Sequence, residues 1–171
     1  HPDVARFPAR EVYVELGRMG FKQLTRRWQS GQQLIQSQGV TYNVGNLPEG
    51  SEYSWPMDPL PLVIDSNEWA GIEKAVIQRA TLFNAILVDL YGAQRLLHER
   101  LLPSSLVFAN SHFLRPCFGI TPPGGVYLHT YAVDIARSPS GIWWVLADRT
   151  QAPSGMGYTF QNRLVSARTL P

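Results

Sequence analysis

In the stretch LADRTQAPSGMGYTFQNR (146–163), Asp148 and Arg149 close an apolar run, and Ser154, Gly155, Gly157, Asn162 and Arg163 follow beyond a Pro-Gly turn. A carboxylate such as Asp148 is a hard oxygen ligand suited to Mg²⁺. The backbone N–H groups of Gly155 and Gly157, at the start of a helix, suit an anion. Asn162 and Arg163 fall on the first turns of that helix, where a guanidinium fork can grip a carboxylate or phosphate through two parallel bonds. Together these residues read as a seat for a metal and a phosphate. They also have an architectural reading, in which Asp148 ends a hairpin, Ser154 caps a helix and Arg163 is a solvated helix residue. His129 is a candidate base or a hydrogen-bonded strand residue. Cys117, in LRPCFG, is a candidate nucleophile or a buried structural thiol, and reads as the second. No second His stands at metal-ligand spacing, so a zinc site is not expected.

The elements that must position these residues can be read from periodicity. Phe21, Leu24, Trp28, Leu34 and Ile35 predict an amphipathic helix over 21–38, interrupted at Ser30-Gly31 and closed by Gly39. VTYNV (40–44) predicts a short strand, and 45–61 a Pro- and Gly-rich loop. Trp69, Ile72, Val76, Phe83, Leu87 and Leu90 define a long helix over 66–91, capped by Asp65 or Ser66 and stopped by Gly92. A short helix is expected over 93–100, an ambiguous segment over 104–114, and a break at TPPGG (121–125). VYLHTYAVDIA and IWWVLADR flank RSPSG as an antiparallel hairpin, and a last helix runs over about 158–168. With Ser138 to Gly141 as the loop, Ile135 pairs with Trp144, Val133 with Leu146, and Tyr131 with Asp148, so that Tyr131 and His129 line the far end beside Asp148. Arg149 then stands on the other face, opposite Thr130. A slip of one residue would separate Asp148 from Tyr131. A hairpin alone is marginal, and 40–44 is the strand expected to extend it.

The chain has 171 residues, 44% of them hydrophobic, and a formal charge of +2. That length supports one core, while the charge provides no basic stripe for nucleic acid. One Cys excludes an internal disulfide, and no apolar run reaches the ~18 residues of a membrane span. A cytoplasmic protein without a membrane or nucleic-acid partner is expected. The ends, His1-Pro2-Asp3 and Thr169-Leu170-Pro171, read as cuts, so the chain is expected to be a portion of a longer protein.

Read in order, GVTYNV, WPMDPLPLVIDSNEW, DLYGAQRLL, FLRPCFG, PPGGVYLHTYAVDIARSPSGIWWVLADRTQAPSGMGY and QNRLVSARTLP resemble the amino-terminal part of circularly permuted type 2 ATP-grasp proteins, from about Phe21 to Pro171. The resemblance implies Mg-ATP chemistry in the full-length protein: a carboxylate becomes an acyl phosphate, which an amine then attacks. In such folds a strand usually ends on an acidic residue, with Asn two positions later, both on Mg²⁺. Here those positions hold Ala147 and Arg149, with Asp148 between them. On this resemblance Asp148 is the metal ligand, Arg149, Ser154, Gly155, Gly157 and Arg163 hold phosphate or substrate, Asn162 orients them, and Tyr131 and His129 line the pocket. The implied function is a carboxylate–amine ligase, inactive as this portion; the alternative is a degenerate ATP-grasp that binds a peptide or partner without turnover. The implied partners are the downstream half of the protein, an α-helical alpha-E domain, and a small-molecule or peptide substrate. The expected fold is α+β: helices packed on a mainly antiparallel sheet built around a 125–149 hairpin, part of a permuted ATP-grasp fold. It forms a single incomplete domain, 1–171, mainly helical over 21–114, with the hairpin and last helix over 115–171.

Overall fold

The computed structural model describes residues 7–42, 53–58 and 60–169. In chain order these form α1 (Phe7–Met19), α2 (Phe21–Ser37), β1 (Thr41–Tyr42), β2 (Tyr53–Ser54), α3 (Ser66–Leu90), α4 (Arg95–His98), α5 (Ser104–Phe108), β3 (Ala132–Arg137), β4 (Trp143–Arg149) and α6 (Met156–Thr169), with 3-10 turns at Arg115–Cys117 and Pro123–Gly125. The fold class is α+β, with small antiparallel sheets. The chain divides into two compact units, 1–66 with 154–171, and 67–153. The hairpin and the last helix, expected together over 115–171, thus fall in different units.

The first unit packs α2 against α6. α1 has no counterpart in the sequence reading, although Val12, Leu16 and Met19 recur four and three apart, and Leu16 is buried. Gly20, at φ +78°, is the whole link between α1 and α2, a conformation that a side chain would strain. α2 is not interrupted at Ser30-Gly31. Ser30 bonds back to the Arg26 carbonyl, and Gly31 faces α6: a Cβ there would meet Val165 Cγ1 and Thr169 Cγ2 at 3.4 Å. Around that contact lie the buried Ile35, Val165 and Thr169. Phe21, expected on the apolar face, is exposed. The strand read at 40–44 is β1, with 43–44 outside the described residues. It pairs with β2 in its own unit (Thr41↔Ser54, Tyr42↔Tyr53), not with the hairpin. Of the expected 45–61 loop, 45–52 and 59 also lie outside the described residues.

The second unit is built on α3. Ile72 and Leu90 are buried and Val76, Phe83 and Leu87 half-buried, as the periodicity requires, but Trp69 is 53% exposed. Polar groups lock the following loops to this helix. Asn84 Oδ1 accepts from the amides of Tyr127 (2.8 Å) and Leu128 (3.0 Å), while its Nδ2 donates to the Gly125 carbonyl (3.2 Å). Asp89 accepts from the amides of Arg95 and Leu96 and so fixes the start of α4. Tyr91 stacks between Phe113 and Tyr127, and a Cβ on Gly92 would lie 2.8 Å from the Val88 carbonyl oxygen.

The hairpin register departs twice from expectation. The strands are 132–137 and 143–149, so His129 precedes β3 and is exposed, not mid-strand. Arg137 pairs with Trp143 and Ala136 with Trp144, one residue off the expected loop, because Ser138 bonds across the turn to Ile142. A bulge between Asp134 and Ile135 then leaves Leu146 extra in β4, and beyond it Val133 pairs with Asp148 and Ala132 with Arg149. Two single shifts restore the parity. Asp148 keeps the face of Tyr131, now as a diagonal neighbour, while Trp144 (60% exposed) and Leu146 (68% exposed), expected in the core, are turned out. Among the described residues β3 and β4 form a sheet of their own.

Candidate functional site

α3 and the hairpin meet through charges. Glu68 and Arg79 occupy the helix stripe that also carries Ile72 and Phe83, and each reaches the hairpin face that carries Asp148. Near the turn, Glu68 Oε1 accepts from Arg137 Nη2 (2.5 Å) and from the Trp143 indole (2.8 Å), with both side chains of the ion pair 16% exposed. At the far end, Arg79 Nε donates to Asp148 Oδ1 (3.0 Å) and Nη2 to Oδ2 (2.5 Å). The Tyr131 hydroxyl also donates to Oδ1, and its ring lies against Phe83. The Arg79 guanidinium, and after it the Tyr131 hydroxyl, hold the Asp148 carboxyl below its ordinary range. Burial, then the bond to Asp148, pushes the Tyr131 phenol up, and the bonds to Asp148 and Tyr131 raise Arg79. On the opposite face Arg149 grips Asp134 with Nε (3.0 Å) and Nη2 (2.7 Å), which raises the arginine further.

This arrangement decides what Asp148 offers a metal. A carboxylate oxygen has two lone-pair positions. Both on Oδ1 are taken, and Oδ2 faces a guanidinium at 2.5 Å that neutralises the charge a cation would seek. Among the described residues no group of three or more His, Cys, Asp or Glu could hold a metal ion. As placed, these side chains do not fit Mg²⁺.

The remaining expected site residues belong to the first unit. Gly155, at φ +123°, precedes α6 and its carbonyl accepts from Thr159, so Gly155 and not Ser154 holds the capping position. Gly157 lies in the first turn, with open space where a Cβ would point. Asn162 Oδ1 accepts from the Trp55 indole (2.8 Å), which stacks on Tyr158 at 4.1 Å, while the Tyr158 hydroxyl donates to the Thr41 carbonyl. Asn162 thus ties Trp55 to α6. Arg163 lines a cleft of about 830 Å³ with Glu11 and Glu15 of α1, Pro61 and Ser166. It makes no ion pair among the described residues.

Arg79 and Glu68 escaped the sequence reading, although the signal was present: a charge set inside an apolar helical stripe requires a partner across the interface. Trp55 and Asn84 left no comparable signal, because their partners are backbone and amide groups far along the chain.

Residues 61–171 match the family model described as circularly permuted ATP-grasp type 2. The chain is 36% identical over 156 residues to an uncharacterised protein of Synechocystis, covering 91% of this chain and 32% of that protein. It is 34% identical to an uncharacterised protein of Mycobacterium leprae (97% of this chain, 29% of that protein) and 37% identical to one of Mycobacterium tuberculosis (94% and 19%). The chain therefore spans about a third or less of the length of these curated relatives. With the family match running from the approach to α3 through the hairpin to the end of α6, the chain belongs to the circularly permuted type 2 ATP-grasp family.

Proposed function

We propose that the protein is an ATP-dependent carboxylate–amine ligase, and that this chain supplies one portion of it, with the nucleotide-binding half further along the same protein. The observation that carries this reading is the family match over 61–171. With Mg-ATP bound, the family's chemistry converts a carboxylate into an acyl phosphate that an amine attacks. This chain's own contribution is binding and orientation. Within the first unit, Arg163, on its cleft wall, is a cation for phosphate or carboxylate oxygens, and Ser154 and the amides of Gly155 and Gly157 add neutral donors; within the second unit, Arg149 is paired with Asp134 and meets an anion only by sharing its guanidinium with that carboxylate. The Asp148–Arg79–Tyr131 group holds the end of the hairpin on α3, beside the exposed His129. Asp148, committed to Arg79 and Tyr131, is given a structural role here and not that of the metal ligand. An alpha-E domain and an acid or peptide substrate are the proposed partners, in the cytoplasm.

A second reading is a degenerate ATP-grasp that binds a peptide or partner without turnover. The commitment of Asp148 to Arg79 favours it, together with Ala147 and Arg149 at the usual metal positions. Calorimetric titration of Mg-ATP into the intact protein and its Asp148→Asn form, with ADP release followed over amino acids and polyamines, separates the two. The ligase reading expects Mg²⁺-dependent binding and ADP release that requires an acid. Folded protein that binds no Mg-ATP overturns it, and binding without release under any acid and amine supports the second reading. Equal binding by both forms is expected of a structural Asp148.

A further inference from the structure

In the second unit, Gln94, Phe108, Phe113, Arg115 and Phe118 line a cavity of about 370 Å³ that no part of the ligase reading uses. Two of its aromatic residues are packed against neighbours. Phe113 stacks on Tyr91 (5.0 Å between ring centres, 13° between planes), which stacks in turn on Tyr127, and Phe108 meets Phe113 edge-on. Arg115 opens a 3-10 turn with Pro116 behind it, so its backbone is set before its side chain is. Gln94 stands at φ +54° in the turn between α3 and α4, where its side-chain amide donates to the Leu90 carbonyl.

The chemistry of the cavity is one cation on an aromatic wall. The Arg115 guanidinium carbon lies 5.9 Å from the Phe108 ring centre. Arg79, Arg137 and Arg149 of the same unit are each held by a carboxylate, whereas Arg115, like Arg95 and Arg100, makes no ion pair among the described residues; of these three, Arg115 is the one set over an aromatic ring. Phe108 and Phe118 remain 40% and 52% exposed beside it. A planar fork with free donors takes a carboxylate through two parallel bonds, and the exposed rings take a flat or apolar body attached to it. We infer that this cavity is a binding site for a small carboxylic acid with an aromatic or apolar side chain, Arg115 taking the carboxylate and Phe108 and Phe118 the side chain. Its role as the seat of the acid substrate rests on the ligase reading; binding of the acid does not.

The test is calorimetric titration of N-acetyl-L-phenylalanine, its uncharged amide, and AMP into the intact protein without Mg-ATP, repeated with Arg115→Gln, Arg115→Lys and Phe118→Ala. Arg115 and Phe118 are exposed, and circular dichroism checks that each variant folds. The acid is expected to bind at least tenfold more tightly than its amide. Arg115→Gln is expected to remove that preference, Arg115→Lys to retain part of it, and Phe118→Ala to weaken the acid and the amide alike by several-fold. No binding of the acid at about 10 mM, or binding unchanged in Arg115→Gln, overturns the inference. So does AMP binding in preference to the acid with the same dependence on Arg115, which would make the cavity a nucleobase platform. A separate Mg-ATP titration keeps the two readings apart: acid binding without nucleotide binding preserves this site and overturns the ligase, and the reverse overturns this site alone.

Discussion

Replacing Asn84 by Ala takes away three hydrogen bonds at one point on α3: two in which its oxygen accepts from the Tyr127 and Leu128 amides, and one in which its nitrogen donates to the Gly125 carbonyl. Each such bond contributes about 1 kcal/mol net, so an unrelaxed loop loses about 3 kcal/mol. Since about 1.4 kcal/mol is a factor of ten, the Tyr127 and Leu128 amides should exchange with solvent roughly 100-fold faster in Asn84→Ala. Asn84→Asp separates the parts of that number. It keeps the oxygen facing the two amides and turns the donor into an acceptor against the Gly125 carbonyl, so exchange at Tyr127 and Leu128 should stay within about tenfold of the parent. Hydrogen exchange read residue by residue is the assay, because it reports this loop and not the whole molecule. Unchanged protection of both amides in Asn84→Ala, or equal loss in Asn84→Ala and Asn84→Asp, refutes the claim that this side chain pins the loop.

Two further outcomes are expected. Gly31→Val places a branched side chain where α6 already lies at the 3.4 Å limit of a Cβ, so urea unfolding should show a loss of about 1–3 kcal/mol; equal stability would mean that the α2–α6 contact is not tight. The pH dependence of stability has two limbs. Asp148, lowered in the folded state, contributes stability above the ordinary carboxyl range that is lost as pH falls through its depressed value, and Asp148→Asn should remove that acid limb. Tyr131, raised in the folded state, contributes stability below its ordinary range that is lost as pH rises through the raised value. Tyr131→Phe should remove that alkaline limb, and profiles of thermal midpoint against pH that match the parent would contradict both assignments.

The long helix was legible in the sequence because five residues of one stripe, Ile72, Val76, Phe83, Leu87 and Leu90, repeat at helical spacing and turn inward. α2 was legible for the same reason, and its end from Gly39. α1 was overlooked because its inward stripe is only Val12, Leu16 and Met19, and the exposed Tyr13 and Val14 blur it. The hairpin was legible as a hairpin, but its register depends on a bond across the turn from Ser138 and on one extra residue in β4, neither of which alternation of apolar residues records. At the candidate site, the pairing of Tyr131 with Asp148 emerged although the assumed register was wrong twice over, since the two errors cancel in parity. The Arg79 partner could not emerge from local spacing, because it comes from a helix 69 positions away.

The extra residue at Leu146 has an electrical consequence. Asp148 and Arg149 are adjacent and opposite in sign, so the phase of β4 beyond Val145 determines which of them α3 meets. Were the ladder ironed flat with the same sequence, Arg149 would come round to Tyr131 and confront Arg79, cation against cation. The observed phase sets anion against cation instead, and sends Arg149 outward to Asp134. The hairpin is thus keyed like a polarised plug. Its apolar pattern tolerates a sliding strand, and its alternating charges do not.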